Sequence, residues 1–156
     1  MDTFKEEIYG KVLWECYRSK VYIVMLSLLY VAISVAGILF AMEEGMPYYF
    51  LSAFVVLISL WRINRVHHPV ALICEKKLLV AVPWSFFTFD YYITLRALYM
   101  PIDYKEIAGV SGQWNRLYIG AQEVGGMMAL PVQLAYVSLR DKVDFQSWIE
   151  SKQCEN

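Results

Sequence analysis

Two arginines, two histidines and a tryptophan stand close together in LWRINRVHHPVAL, residues 60–72, directly after a long apolar run. Arginine side chains bind phosphate groups, and histidine side chains bind transition metals. Neighbouring side chains on an extended chain point to opposite faces, so the two adjacent histidines cannot easily ligate one metal ion. We therefore predict no metal site here, and we interpret the cluster as a lipid head-group site where the chain leaves a membrane. Its residues are Trp61, Arg62, Arg65, His67 and His68.

A second candidate site is the stretch WSFFTFDYY at residues 84–92, in which six of nine residues are aromatic. Alternate side chains of an extended segment lie on opposite faces, and a domain this small cannot easily bury both faces. We expect one face to bind a protein partner or the bilayer surface, since aromatic residues dominate binding hot spots; burial in the core is the alternative. The six candidates are Trp84, Phe86, Phe87, Phe89, Tyr91 and Tyr92.

The sequence offers no catalytic motif. GVSG at residues 109–112 departs from the G-x-S-x-G nucleophile elbow, and GG at residues 125–126 is a turn signal that suits a hairpin better than a phosphate-binding loop. No serine or cysteine is paired with a histidine in a recognisable pattern. We predict a non-enzymatic protein with no catalytic residue, no metal and no cofactor.

The location of these candidate residues depends on two uncharged apolar runs in the chain. Residues 21–42 contain no charge in 22 positions. As a helix they measure about 33 Å, enough to cross a bilayer core of about 30 Å. The second run, residues 46–61, gains length by continuing to residue 66 while its arginines reach outwards. We predict a hairpin of transmembrane helices at 21–42 and 46–66, joined by a short external loop at 43–45.

A cleaved signal peptide is the alternative interpretation of the first run. No A-x-A cleavage site closes that run, and a second apolar run follows at once. Basic residues flank both runs, whereas the connecting loop carries two glutamates and no Lys or Arg. By the positive-inside rule, both termini are then cytoplasmic. The three cysteines are far apart in the sequence, and in a reducing compartment we expect them to be free thiols: Cys16, Cys74 and Cys154.

An amphipathic N-terminal helix is predicted for residues 1–20, because apolar residues recur there at intervals of four. Its acidic and basic residues are equal in number, so attraction to anionic lipid is weak and docking on the cytoplasmic domain is the preferred arrangement. The recurring residues are Phe4, Ile8, Val12 and Cys16.

From residue 67 the pattern changes to short strands. VALICEKKLLVAV contains two apolar runs around a charged turn and predicts a β-hairpin. Further short runs rich in β-branched and aromatic residues end at Gly, Pro, Asp or Asn. A closing amphipathic helix begins near Ser138 and Asp141, which are spaced as in a capping box. Residues 67–156 are therefore predicted to form an α+β cytoplasmic domain.

Two sequence segments in this domain resemble those of a known family. IDYKEIAGV at residues 102–110 matches a mid-domain pattern through Ile102, Tyr104, Ile107 and Val110, and ALPVQLA at 129–135 matches a later one through Leu130 and Pro131. With the preceding apolar hairpin, the chain resembles bacterial membrane proteins with a YcxB-like, pleckstrin-homology-like domain. The resemblance implies a split β-barrel capped by its C-terminal helix, in the bacterial inner membrane, with no catalytic residues to carry over.

The balance of charges in the predicted cytoplasmic domain argues against two classes of ligand. Residues 67–156 carry eight Lys or Arg against nine Asp or Glu, and Lys76 with Lys77 is the single basic pair. This balance argues against a phosphoinositide pocket and against nucleic-acid binding.

The function that we expect is therefore that of a membrane adaptor or assembly subunit. Its cytoplasmic domain would bind a protein partner through the aromatic segment, an exposed strand edge or the groove beside the closing helix. An immunity protein that blocks a toxin at the membrane is the second hypothesis, and a lipid-acting enzyme that uses His67 or His68 is the third. Membrane lipid is expected around both spans, and a homo-oligomer is left open.

The charge asymmetry gives a direct prediction of topology. Cys154, near the C-terminus, reacts with a membrane-impermeant maleimide only when the cytoplasmic side is exposed, for example in inverted vesicles. Labelling of Cys154 on intact cells would contradict the predicted orientation.

Overall fold

The computed structural model describes residues 7–81, 99–121 and 126–155, and it divides the chain into two compact units. One unit is Ser19–His68, and the other combines the described residues of Met1–Arg18 with those of Pro69–Asn156. The first unit consists of two helices, and the second is an α+β unit. The predicted order of two apolar helices before a strand-rich region with a closing helix is thus confirmed.

Helix α1 (Lys20–Glu44) and helix α2 (Tyr48–Val66) are each long and apolar enough to cross a membrane. They begin and end within two residues of the predicted spans. At the start of α1, the Ser19 Oγ accepts a hydrogen bond from the Tyr22 N–H at 3.3 Å, which satisfies one of the free amides of the first turn.

Small side chains lie where α1 and α2 pack together. Ala41 of α1 and Ser52 and Ser59 of α2 are buried, and a Cβ at Gly37 would lie 3.7 Å from the Val55 side chain. Small residues let two backbones approach closely, which holds helices together where lipid supplies no hydrophobic force. Of the other small residues in α1, Ala32 and Ala36 are exposed.

The N-terminal segment does not form one helix. Residues 7–9 are helical, but strand β1 (Val12–Cys16) follows and pairs antiparallel with strand β2 (Ala71–Cys74). The prediction of a helix over residues 1–20 is therefore wrong for β1. Exposure alternates along β1, since Leu13 and Glu15 are more exposed than their neighbours, and a spacing of four fits a strand as well as a helix.

Strand β1 is the first member of a four-stranded antiparallel sheet with the order β1-β2-β3-β4. The predicted hairpin of apolar runs is confirmed as β2 and β3 (Leu78–Ala81), with the charged turn between them. Strand β4 (Tyr99–Ile102) pairs with β3. Both faces of β2 and β3 are buried, one in the main core and the other in a small cluster around Cys74.

Three further strands form a second antiparallel sheet in simple chain order. They are β5 (Ile107–Val110), β6 (Arg116–Ala121) and β7 (Gly126–Pro131). Leu117 and Ile119 of β6 point into the main core that the two sheets share. Among the described strands, β5 and β7 each have a partner on one side only.

Helix α3 (Leu139–Glu155) closes the α+β unit. The Ser138 Oγ accepts the Asp141 N–H at 3.2 Å and donates to the Asp141 carboxylate at 2.6 Å, so the predicted cap is present. Phe145 and Ile149 are buried against the sheets, and the rings of Phe145 and Trp14 lie 6.5 Å apart.

The N-terminal segment also packs beside the turn between β2 and β3. The Lys11 carbonyl accepts the Glu75 N–H at 3.1 Å, and the Tyr9 carbonyl accepts the Lys76 N–H at 3.1 Å. Gly10 has φ +77°, and an added Cβ there would lie 2.8 Å from the Glu75 Cβ. Only glycine fits this close approach without strain.

Tyr104 stabilises the turn between β2 and β3 by hydrogen bonds from inside the core. Its side chain is buried, and its hydroxyl donates to the Cys74 carbonyl at 2.6 Å, with the Lys77 carbonyl at 3.2 Å. Burial is the main cause that raises the pKa of Tyr104. The phenol is thus a neutral donor at every physiological pH.

Removal of this hydroxyl should weaken the α+β unit. Tyr104→Phe keeps the ring but removes the hydroxyl donor of the buried Cys74 carbonyl, whereas the Lys77 carbonyl still accepts the Cys74 N–H; the loss costs about 1–2 kcal/mol of unfolding free energy. The matched control is Tyr118→Phe, a half-buried tyrosine of β6. Chemical unfolding in detergent measures both, and equal stability of the two variants would contradict the assigned role of Tyr104.

Candidate functional site

The aromatic candidates Trp84, Phe86, Phe87, Phe89, Tyr91 and Tyr92 lie outside the described residues, which stop at residue 81 and resume at residue 99. Among described residues, no group of three or more His, Cys, Asp and Glu side chains could hold a metal ion.

The basic candidates lie together at the end of α2. The guanidinium carbons of Arg62 and Arg65 lie 5.3 and 5.6 Å from the centre of the Trp61 ring, within the range of cation–π attraction. The His67 Nδ1 is 2.8 Å from the Ile63 carbonyl of the preceding turn, and this bond orients its ring along the helix. His67 is exposed and His68 is half-buried.

The cysteines separate into two buried thiols and one exposed thiol. Burial raises the pKa of Cys16 to about 12 and the pKa of Cys74 to about 11. Because the thiolate is the reactive form, both side chains act as apolar core residues at neutral pH. Neither has the low pKa of a nucleophilic cysteine.

A groove lies between strand β5 and helix α3 of the α+β unit, and we call it the β5–α3 groove. It encloses about 370 Å³. One wall is β5 with the turn after it, and the other is one face of α3. The lining residues are Ile107, Ala108, Gly109, Val110, Ser111, Gly112, Trp114, Gln146, Ile149, Glu150 and Gln153.

The wall formed by β5 is largely backbone. Within the described residues, β5 pairs only with β6. On its other edge the Gln153 amide already donates to the Ile107 carbonyl, so a further strand could pair only beyond Ile107. The register shifts between Ile107 and Gly109, which makes Ala108 a bulged and exposed residue. Gly109 has φ +156°, a conformation that side chains rarely adopt. Bulges of this kind are common beside functional sites.

Trp114 closes one end of the groove, in the turn between β5 and β6. Its φ of +59° places a bulky residue in the left-handed region, which costs roughly 1–2 kcal/mol. Its amide donates to the Ser111 carbonyl at 2.8 Å, and the Lys142 ammonium lies 5.8 Å from its ring centre. The turn and α3 thus hold the half-buried indole in place despite the unfavourable backbone.

The wall formed by α3 is polar around one buried isoleucine. Its four residues lie at positions i, i+3, i+4 and i+7 of one helical face. The Gln146 amide donates to the Glu150 carboxylate at 3.0 Å. The Gln153 amide donates to the Ile107 carbonyl at 2.7 Å and the Tyr104 carbonyl at 3.1 Å, and so ties α3 to the start of β5.

A shallower hollow lies on the opposite side of α3 and encloses about 320 Å³. It faces β1 and is much more open than the groove. Its lining residues are Trp14, Asp144, Ser147, Trp148 and Ser151.

The sequence did not indicate any of the groove residues as a binding residue, although the groove beside the closing helix was one of three expected surfaces. Trp114 stands alone in a polar turn, and the four residues of the α3 wall show a signal only as one face of a helix. The pairing of that face with β5 depends on elements about forty residues apart, which no local pattern encodes.

Comparisons of the chain with protein-family models, with curated proteins and with solved structures yield no match.

The turn that presents Trp114 depends on one hydroxyl. The Ser111 Oγ accepts the Arg116 N–H at 3.1 Å and the Asn115 N–H at 3.3 Å, and it donates to the Asn115 side chain at 2.9 Å. Ser111→Ala should cost about 1 kcal/mol of unfolding free energy and change the emission of the Trp114 indole. Ser151→Ala, an exposed serine of α3, is the control. A Ser111→Ala variant as stable as this control would contradict the role of the hydroxyl.

Proposed function

We propose that this protein is a membrane-anchored, non-enzymatic adaptor that binds a protein partner in the β5–α3 groove. The observation that carries the proposal is the cleft between a polar face of α3 and an edge of β5 on which no other described strand lies. A groove of this kind suits the recognition of a peptide segment.

The membrane anchor is supported by the surface of the two helices. In the most apolar window of α1, none of the residues is buried inside the protein, and its mean hydropathy is 2.6. Soluble proteins rarely expose a contiguous apolar surface of this extent, whereas a bilayer covers one of this length. We assign α1 and α2 as spans of a bacterial inner membrane with both termini in the cytoplasm.

The interfacial role of the basic cluster fits the same proposal. Arg62 and Arg65 stack on Trp61 at the end of α2, where a spanning helix would meet the cytoplasmic head groups. Arginine next to an aromatic ring is well suited to lipid phosphate. We assign this cluster to anchoring of the hairpin.

The architecture also supports the pleckstrin-homology-like assignment. Antiparallel sheets of four and three strands share one core, and a C-terminal helix packs on it. The YcxB-like resemblance implies a split β-barrel capped by its C-terminal helix, and this architecture supports that assignment. Strand β1 would then be the first strand of the domain, and the apolar hairpin would be an insertion after it.

The groove is proposed as a binding site because its chemistry is that of recognition. Backbone groups, two glutamines and apolar side chains dominate its lining, and among the described lining residues Glu150 is the single charged one. Polar groups that hydrogen-bond to the backbone of a bound peptide, next to an aromatic anchor, give both affinity and a defined orientation of the peptide.

Site-specific cross-linking tests this function. The photoreactive residue benzoylphenylalanine replaces Gln146, which is exposed in the groove, or Val143, which is exposed on another face of α3. After irradiation in native membranes, we expect a discrete cross-linked product from position 146 and none from position 143. Equal products from both positions, or none from position 146, would overturn the proposal.

A blocking variant with a matched control sharpens this test. Gly112 lines the groove, and Gly126 lies on the distant strand β7; an added Cβ at either meets nothing within 4 Å. Gly112→Trp should therefore fold normally yet fill the groove, and reduce the cross-link at position 146 about tenfold or more. Gly126→Trp should leave the cross-link unchanged. An unchanged product with Gly112→Trp places the partner elsewhere.

A further inference from the structure

From the walls of the groove we infer the form and charge of its occupant, and this inference rests on the proposed function. The partner supplies an extended segment that adds to β5 as a further strand and places a Lys or Arg side chain opposite Glu150.

The extended form follows from the wall that β5 provides. A strand edge offers N–H and C=O groups that need partners, and another extended chain supplies them in the matching geometry. A helix satisfies its own backbone groups and cannot pair with this edge. Because the Gln153 amide occupies the Ile107 carbonyl, the rest of β5 accommodates a segment of about three residues at about 3.3 Å per residue.

Of the two edges of the second sheet, that of β5 has the features of a docking site. The edge of β7 ends at Pro131, which has no N–H to donate. Strand β5 contains no proline, and α3 stands opposite it as a second wall. Two walls allow side-chain recognition in addition to backbone pairing.

The positive charge follows from the opposite wall. Glu150 is exposed, and Gln146 holds its carboxylate by the hydrogen bond at 3.0 Å. The described residues that line the groove include no cation, so a basic side chain gains by binding beside Glu150 and an acidic one is repelled. The same carboxylate disfavours an anionic lipid head group as the occupant.

The bound segment also has an apolar position. The ring of Trp114 and the side chain of Ile149 lie at the groove, between the backbone wall and the polar helix face. An apolar or aromatic side chain next to the basic residue would cover the exposed part of the Trp114 ring, since Ile149 is already buried. The expected pattern is thus a short run of extended residues with one fixed cation and a nearby apolar anchor.

Selection from a random nine-residue peptide library tests the inference on the full chain in lipid nanodiscs. We expect enriched peptides with Lys or Arg at one fixed position beside an apolar residue. A synthetic copy with Glu at that position should bind about tenfold more weakly. Enriched peptides without a fixed basic residue would overturn the inference.

Charge reversal provides the matched control. Glu150→Lys should reverse the preference from the lysine peptide to the glutamate peptide. Asp144→Lys, on the same helix but in the hollow beside β1, should preserve the original preference. A preference that survives Glu150→Lys contradicts the assignment of Glu150.

N-methylation of the selected peptide tests strand pairing. Alternate residues of an added strand donate to β5, so methylation of the amides in one alternating set should abolish binding and in the other set should leave it nearly unchanged. Equal loss from both sets would overturn the extended form.

The blocking variant separates the two proposals. Peptides that lose binding to Gly112→Trp but show no charge or methylation pattern would overturn only this inference and leave the groove as the docking site. Peptides that bind Gly112→Trp and the native protein equally, or no enrichment at all, would contradict the proposed function as well. If the enriched peptides match a sequence of this chain and the protein self-associates in nanodiscs, the occupant of the groove is a second copy of this chain and not a different partner.

Discussion

The pairing of β1 with β2 is the interaction on which the rest of the structure depends. The chain leaves the α+β unit after β1 and re-enters it before β2, and the intervening residues form the two apolar helices. The Val70 N–H donates to the Cys16 carbonyl at 2.6 Å, so the exit and the re-entry are neighbouring strands. Closing so long a connection costs entropy, and a helical hairpin offsets that cost because its two ends return close together.

The β1–β2 pairing also determines the geometry of the candidate site, because it fixes the position of α3. Trp14 of β1 packs on Phe145, and Arg18 donates to the Gln133 side chain just before α3 begins. On the far face of α3, Gln153 holds the start of β5. The helix is therefore fixed between the N-terminal strand and β5, and the groove keeps its width because both of its walls are anchored. A binding site with fixed walls loses little entropy when a partner docks.

The elements with strong local signals could be predicted from the sequence. The apolar helices follow from length and composition, and the β2–β3 hairpin follows from its charged turn. The N-terminal helix was wrong because Val12 and Cys16, four residues apart, fit a period of 3.6 and a period of 2 alike. Pairing with a strand more than fifty residues away decided between them. The sequence could indicate a groove beside the closing helix but not the residues that line it, because these residues meet only through the packing of α3 on the second sheet.

An engineered cross-link tests the β1–β2 pairing most directly. Val12 and Cys74 are Cα partners, and the bond from the Glu75 N–H to the Lys11 carbonyl makes them a non-hydrogen-bonded pair. Such pairs have Cα atoms about 4.5 Å apart, which a disulfide can bridge. Oxidation of Val12→Cys with copper phenanthroline, followed by peptide mass mapping, should give the 12–74 disulfide, and Leu13→Cys should not give a disulfide to Cys74. No cross-link from Val12→Cys, or equal cross-linking from both positions, would contradict the split domain.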